Sequence, residues 1–137
     1  MPIGIGLGLS PVLGGSSRAY PDGVTVGVGS YITCPDAAAL DITGDLELVA
    51  YIAPTSWANG STQAVIAKVA SGTQRSYYLD LTGTGLPALN LSANGSAATT
   101  TNSSAAVGFS AAQAGWLKST WRQSDGRLQL FTAAAQD

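Results

Sequence analysis

The sequence predicts an all-β fold, and we favour an antiparallel β-sandwich of the jelly-roll type over a closed barrel. Strand-like runs recur at roughly 8–12-residue spacing and are separated by Gly, Asn and Asp turns. No long segment has the 3.6-residue apolar period of an amphipathic helix. Short alternating strands without helical crossovers are typical of sandwiches and barrels rather than of parallel sheets.

The clearest strand covers residues 45–52, where apolar and mixed positions alternate. Its predicted core face carries Leu46, Leu48, Ala50 and Ile52, and its opposite face carries Glu47, Val49 and Tyr51. Residues 30–33 are rich in Tyr, Ile and Thr and predict a shorter strand that Pro35 ends. Cys34 is then expected to be a small buried side chain. Residues 37–40 fit one helical turn, and residues 41–45 supply a tight turn.

The rest of the chain predicts a meander followed by a hairpin. The predicted strands are residues 63–69, 75–81, 86–92, 115–122 and 127–132. Asn94-Gly95 and the Ser124-Asp125-Gly126 segment are tight-turn signals. Residues 97–106 fit either an edge strand or a solvated loop, and residues 107–114 fit a loop or one short helical turn.

Residues 1–23 are expected to form a glycine-rich arm and linker ahead of a folded domain at residues 24–137. Four apolar side chains alternate with glycine at the start of the arm: Ile3, Ile5, Leu7 and Leu9. The glycine spacing does not match a phosphate-binding loop, and no helix pattern follows it. Since a glycine-rich segment is costly to order alone, we interpret these residues as an assembly arm that lies against another chain.

Composition narrows the possible partners. Charged residues are 10% of the chain, against about 25% in ordinary globular proteins, and the net charge of −2 includes no run of either sign. We therefore expect no nucleic-acid partner. No uninterrupted apolar segment is long enough to span a membrane, and the first 15 residues lack the basic residue of a signal peptide. The expectation is a protein made in the cytoplasm without membrane insertion.

The chain offers little catalytic chemistry, and we predict that it is not an enzyme. It contains no His and a single Cys, so neither proton shuttling near neutrality nor a His/Cys metal site is available. Asp45 and Glu47 share a strand face as a glycosidase pair would, but a solvated outer face is the favoured interpretation. Asp41 and Asp45 either cap their turn or hold calcium, the single cofactor considered.

Three aromatic residues are candidates for stacking on sugar rings: Trp57, Tyr78 and Tyr51. Trp57 is the foremost because it lies in a predicted loop, although a lid packed over the end of the sandwich is the favoured alternative. Trp116 and Trp121 are an odd number of residues apart on one strand and must face opposite ways, so one of them is expected in the core.

Four segments in order carry a family resemblance: SYITCPDAAALDITGDLELVAYIAP, QAVIAKVASGTQRSYYLDL, GWLKSTWR and DGRLQLF. This series, covering about residues 30–131, resembles the concanavalin-A-like or laminin-G-like sandwich, in particular the versions in minor tail proteins of bacteriophages. The resemblance implies a virion protein, located on the tail or capsid surface, whose partners are other virion proteins and host surface glycans. The alternative is a free-standing carbohydrate-binding or glycan-hydrolysing domain.

The chain departs from this family at its end. Family members continue past the equivalent of Phe131 with further strands, so part of the sandwich is expected to be missing or supplied by a neighbour. An unpaired sheet edge favours self-association because natural proteins cover such edges. We therefore predict a homo-oligomer, and the resemblance to tail and fibre proteins favours a trimer.

Overall fold

A computed structural model describes residues 26–27, 30–69, 75–92, 99–103 and 105–134. Residues 1–23 and the proposed assembly-arm residues Ile3, Ile5, Leu7 and Leu9 lie outside the described residues. Within the described part, the chain forms one short 3-10 helix, Ala38–Leu40, and seven strands. The strands are β1 (Leu46–Ile52), β2 (Gln63–Val69), β3 (Arg75–Leu81), β4 (Pro87–Leu91), β5 (Thr99–Asn102), β6 (Gly115–Arg122) and β7 (Arg127–Ala134).

The described strands form two antiparallel sheets. One is three-stranded in the order β1-β6-β7, and the other is a four-stranded meander in the order β2-β3-β4-β5. β1 pairs with β6 from Leu46↔Trp121 to Ile52↔Gly115, although the whole meander separates them in sequence. The chain therefore starts in one sheet, builds the other, and returns to the first.

Side chains from both sheets share one hydrophobic core. Leu79 and Leu89 of the four-stranded sheet and Leu117 of the three-stranded sheet are completely buried in a single cluster. Burial of each such side chain contributes about 1.5–3 kcal/mol. Packing of the two sheets against each other gives a β-sandwich-like fold, which confirms the all-β class. Leu46, Leu48 and Ala50 of β1 are buried, as the alternation predicts.

Two turns form through specific polar contacts, and the first of them is the one predicted at residues 124–126. In the β6–β7 turn, Gly126 adopts φ 63°, and the Asp125 carboxylate accepts a hydrogen bond from the Arg127 amide at 3.1 Å. In the β3–β4 turn, the Thr82 hydroxyl accepts a hydrogen bond from the Leu86 amide at 3.0 Å, and Gly85 adopts φ 80°. Positive φ is the reason that glycine occupies these positions.

The prediction of a short strand at residues 30–33 is wrong. Residues 30–33 form no strand, and Cys34 is exposed rather than buried. Strand-forming residues need a partner strand, and no described strand pairs with this segment. The helical turn predicted at residues 37–40 is confirmed as Ala38–Leu40.

The sequence left two alternatives open for residues 97–106 and for residues 107–114, and the structure shows one of them in each case. Residues 99–102 form β5, an edge strand that pairs with β4. Residues 107–114 are irregular, with a turn near Ala112, whose φ is 61°.

Candidate functional site

A surface concavity lies at the outward face of the three-stranded sheet. Along β6, Leu117, Ser119 and Trp121 point to the core, so Trp116, Lys118, Thr120 and Arg122 point outward. The pairing places these outward residues beside Glu47 and Val49 of β1 and Arg127, Gln129 and Phe131 of β7. A groove of about 760 Å³, called the outer-face groove below, is lined by these residues except Trp116. Residues around the 3-10 helix and the core-side residues Leu46, Leu48, Ile66, Tyr77 and Trp121 complete its lining.

Two exposed aromatic rings mark this face. Phe131 is 46% exposed and lines the outer-face groove. Trp116 is 42% exposed and lies in the next cross-strand row, where its ring packs 4.8 Å from that of Tyr51 at an interplanar angle of 48°. Exposed rings on a rigid strand suit the apolar face of a sugar because they lose little freedom on contact.

Charged groups on the groove wall are mostly paired. Lys118 Nζ lies 2.6 Å from Glu47 Oε2, across β6 and β1. The Asp45 carboxylate accepts a hydrogen bond from the Gln123 amide at 2.8 Å, which ties the start of β1 to the β6–β7 turn. One oxygen of each carboxylate is therefore engaged, by the Lys118 ammonium for Glu47 and by the Gln123 amide for Asp45.

The outward face of the four-stranded sheet contains a buried polar pair. Asn90 Nδ2 donates a hydrogen bond to Asp80 Oδ2 at 3.0 Å, and Asp80 is 7% exposed. Burial raises the pKa of Asp80 from 3.8 to about 6, and the hydrogen bond from Asn90 offsets part of this rise. Tyr78 is the cross-strand neighbour of Asn90. This face therefore holds a carboxyl group that gains or loses its proton just below neutral pH.

The predicted aromatic candidates do not form one surface. Trp57 is 4% exposed, its Nε1–H donates to the Gln113 carbonyl at 2.9 Å, and its ring packs edge-to-face against Phe109 at 4.9 Å. This placement agrees with the lid interpretation and leaves little ring surface for a sugar. Tyr51 is buried beside Trp116, whereas Tyr78 is half-buried on the other sheet.

The two aspartates considered for calcium have separate partners. Asp41 forms an ion pair with Lys68, which also lies 3.2 Å from Asp36. Asp45 is engaged by the Gln123 amide. Among the described residues, no group of three or more His, Cys, Asp or Glu side chains is placed to hold a metal ion. Asp45 therefore caps the β6–β7 turn rather than its own turn.

The sequence did not single out Trp116 and Phe131 as exposed rings. The odd spacing of Trp116 and Trp121 did predict that one ring faces outward, and the structure confirms that Trp121 packs on the core. The pattern did not show which of the two was exposed. The exposure of Phe131 depends on its position on an edge strand, which the order of strands in the sheet decides.

Comparison with protein-family models, with curated proteins and with solved structures finds no match to this chain. Within the described part of the chain, no helix has the length and apolar character needed to cross a membrane. The function is therefore argued from the surface geometry.

Proposed function

We propose that this chain is a structural and adhesive subunit of a bacteriophage virion, either a minor tail protein or a capsid-surface subunit. In this proposal, its sandwich is a jelly roll of the concanavalin-A-like or laminin-G-like type. The outer-face groove contacts glycans on the host surface, and residues 1–23 dock on other virion proteins. Its two antiparallel sheets around one core are compatible with that type of sandwich.

One observation carries the glycan part of the proposal: exposed Trp116 and Phe131 lie on the same sheet face as the hydrogen-bonding side chains Thr120 and Gln129. A stacking surface beside polar groups is the arrangement that binds a molecule with apolar ring faces and hydroxyl edges. The groove is shallow and open, so we expect weak binding by one copy and strong binding by many.

Glycan-array binding by multivalent particles tests this part. We expect Trp116→Ala and Phe131→Ala each to weaken binding by about fivefold or more, since a lost stacking contact is worth about 1 kcal/mol. Tyr31→Ala is the matched control, because Tyr31 is an exposed aromatic residue outside both sheets and does not line the groove. Equal binding by all three variants and the original chain would place any glycan site elsewhere.

Self-association is the second part of the proposal. β7 lies at one edge of the three-stranded sheet, and no other described strand pairs with its second edge. Its core-side residues Leu128 and Leu130 are half-buried, and Thr132 is exposed. A neighbouring copy would cover this edge, and we propose a homotrimer. Native mass spectrometry at micromolar concentration is expected to show trimers, whereas a stable folded monomer refutes this part.

A free-standing glycan-binding or hydrolysing domain is the alternative, because Asp45 and Glu47 both line the outer-face groove. We favour binding without hydrolysis, since Glu47 is held by Lys118 and Asp45 by the Gln123 amide. Release of reducing ends from a bound polysaccharide, lost in Glu47→Gln, would support the hydrolytic alternative. Deletion of residues 1–15 distinguishes a virion subunit from a free domain. A virion subunit would enter particles only when it carries these residues, whereas a free domain would not enter particles with or without them.

A further inference from the structure

Two arginines stand directly opposite each other at the turn end of the outer-face groove. Arg122, the last residue of β6, pairs with Arg127, the first residue of β7, and both are exposed and line the groove. Like charges at directly opposite positions of an antiparallel pair destabilise the sheet. The two guanidinium groups therefore repel each other at this end of the groove, and a bound anion would reduce that repulsion.

The neighbouring carboxylates do not neutralise Arg127. Asp125 Oδ2 lies 3.4 Å from Arg122 Nη1, and Asp125 Oδ1 accepts from the backbone amide of Arg127 rather than from its guanidinium. Asp45 is engaged by the Gln123 amide. Among the described residues, the Arg127 guanidinium has neither an ion pair nor a hydrogen-bond acceptor.

Lys118, the third cation that lines the groove, is already paired, because its Nζ lies 2.6 Å from Glu47 Oε2. Arg127 is therefore the positive group of this surface that is available to a ligand. A guanidinium binds a carboxylate through two parallel hydrogen bonds, which gives both strength and a fixed orientation.

The residues that follow Arg127 on the same face of β7 extend the site. Gln129 and Phe131 point outward with it and follow at intervals of roughly 6.6 Å. The row thus presents a cation, an amide and an exposed aromatic ring in sequence. These groups match a carboxylate, a hydroxyl and an apolar ring face of one saccharide chain.

We propose that the outer-face groove is selective for acidic saccharides, with Arg127 binding a sugar carboxylate, Gln129 a hydroxyl and Phe131 a ring face. The inference rests on the proposed glycan-binding function and names its ligand class. The chain carries a net charge of −2, so overall electrostatics oppose binding to a polyanion. A preference for an acidic polymer would therefore indicate a local positive binding site rather than attraction by the net charge of the chain.

Polygalacturonate and its fully methyl-esterified form provide a matched pair of probes, since the ester keeps the sugar chain and removes the charge. With the full chain displayed on multivalent particles, we expect about tenfold weaker binding to the ester, the effect of losing a charged hydrogen-bond pair. Arg127→Gln should remove the difference between the two polymers, and Arg127→Lys should restore only part of it. Lys68→Gln is the charge-matched control, because Lys68 belongs to the four-stranded sheet.

Three outcomes overturn the inference. If the chain binds both polymers equally and Trp116→Ala weakens that binding, acid selectivity is wrong but the proposed glycan binding stands. A preference for polygalacturonate that persists in Arg127→Gln places the carboxylate site elsewhere. Failure to bind these polymers or any glycan on a broad array overturns the proposed glycan binding together with the inference.

Discussion

Replacing Asp80 with Asn should stabilise the protein, by an amount that depends on pH. The side chain is 7% exposed, and burial raises its pKa from 3.8 to about 6. Asn has nearly the same shape, and its Oδ1 can accept the hydrogen bond that Asn90 now donates to Asp80. The substitution thus removes the titrating group while keeping the contact.

The magnitude follows from the two pKa values. The difference between 3.8 and about 6 corresponds to about 3 kcal/mol at 1.36 kcal/mol per pH unit. Allowing for water that reaches the carboxylate, we expect about 1.5–3 kcal/mol in the measured free energy of unfolding.

The sign follows from proton binding. The folded state binds the Asp80 proton more tightly than the unfolded state, so this stabilising contribution is complete below pH 3.8 and is lost as the pH rises through about 6. Asp80→Asn should therefore match the original chain near pH 4 and exceed its stability at pH 8.

Urea unfolding followed by tryptophan fluorescence between pH 4 and pH 8 measures this difference. The chain has no His, so no imidazole titrates in this range. Asp125→Asn is the control, since it removes a carboxylate at an exposed position of the β6–β7 turn. A gain that is equal at both ends of the pH range, or a loss of stability at pH 8, would show that the desolvation argument is wrong.

Three further predictions concern the core and one loop contact. Ser119→Ala should raise the free energy of unfolding by about 1 kcal/mol, because the buried Ser119 hydroxyl has no hydrogen-bond partner among the described residues; a measurable loss in urea unfolding would reveal a missed partner. Leu117→Ala should cost about 2–5 kcal/mol in the same assay, and a cost below 1 kcal/mol would contradict its place in the core. Gly83→Ala should lower the melting temperature, since a Cβ there would stand 2.6 Å from the Gly60 carbonyl carbon, whereas an unchanged melting temperature would mean that this loop yields freely.

The sequence predicts the strands well where local pattern and burial coincide. Alternation in residues 45–52 identifies β1 because Leu46 and Leu48 face the core while Glu47 faces outward. The Asp125-Gly126 turn fixes the last hairpin because glycine adopts positive φ there. Both signals lie within a few residues of the structure that they specify.

Tertiary contacts decide what the sequence could not predict. Residues 30–33 have strand-like side chains, but no described strand pairs with them, and Cys34 is exposed. Trp57 lies in a loop, yet its indole is buried because the Gln113 carbonyl, 56 residues away in sequence, accepts its N–H. Asp80 alternates with the core residues Leu79 and Leu81, yet it is buried on the outward face of its sheet.

The proposed acidic-ligand site depends on one local feature, a hairpin turn, and on one tertiary feature, the partners of the nearby carboxylates. A hairpin with its turn at residues 123–126 places Arg122 opposite Arg127, and the sequence predicts that hairpin. The availability of Arg127 depends on where the nearby carboxylates lie: Asp45 reaches the Gln123 amide from the start of β1, and Asp125 divides its oxygens between Arg122 and a backbone amide. No spacing rule in the sequence gives these partners. A site defined by an unpaired charge becomes visible only when the partners of all its neighbours are known.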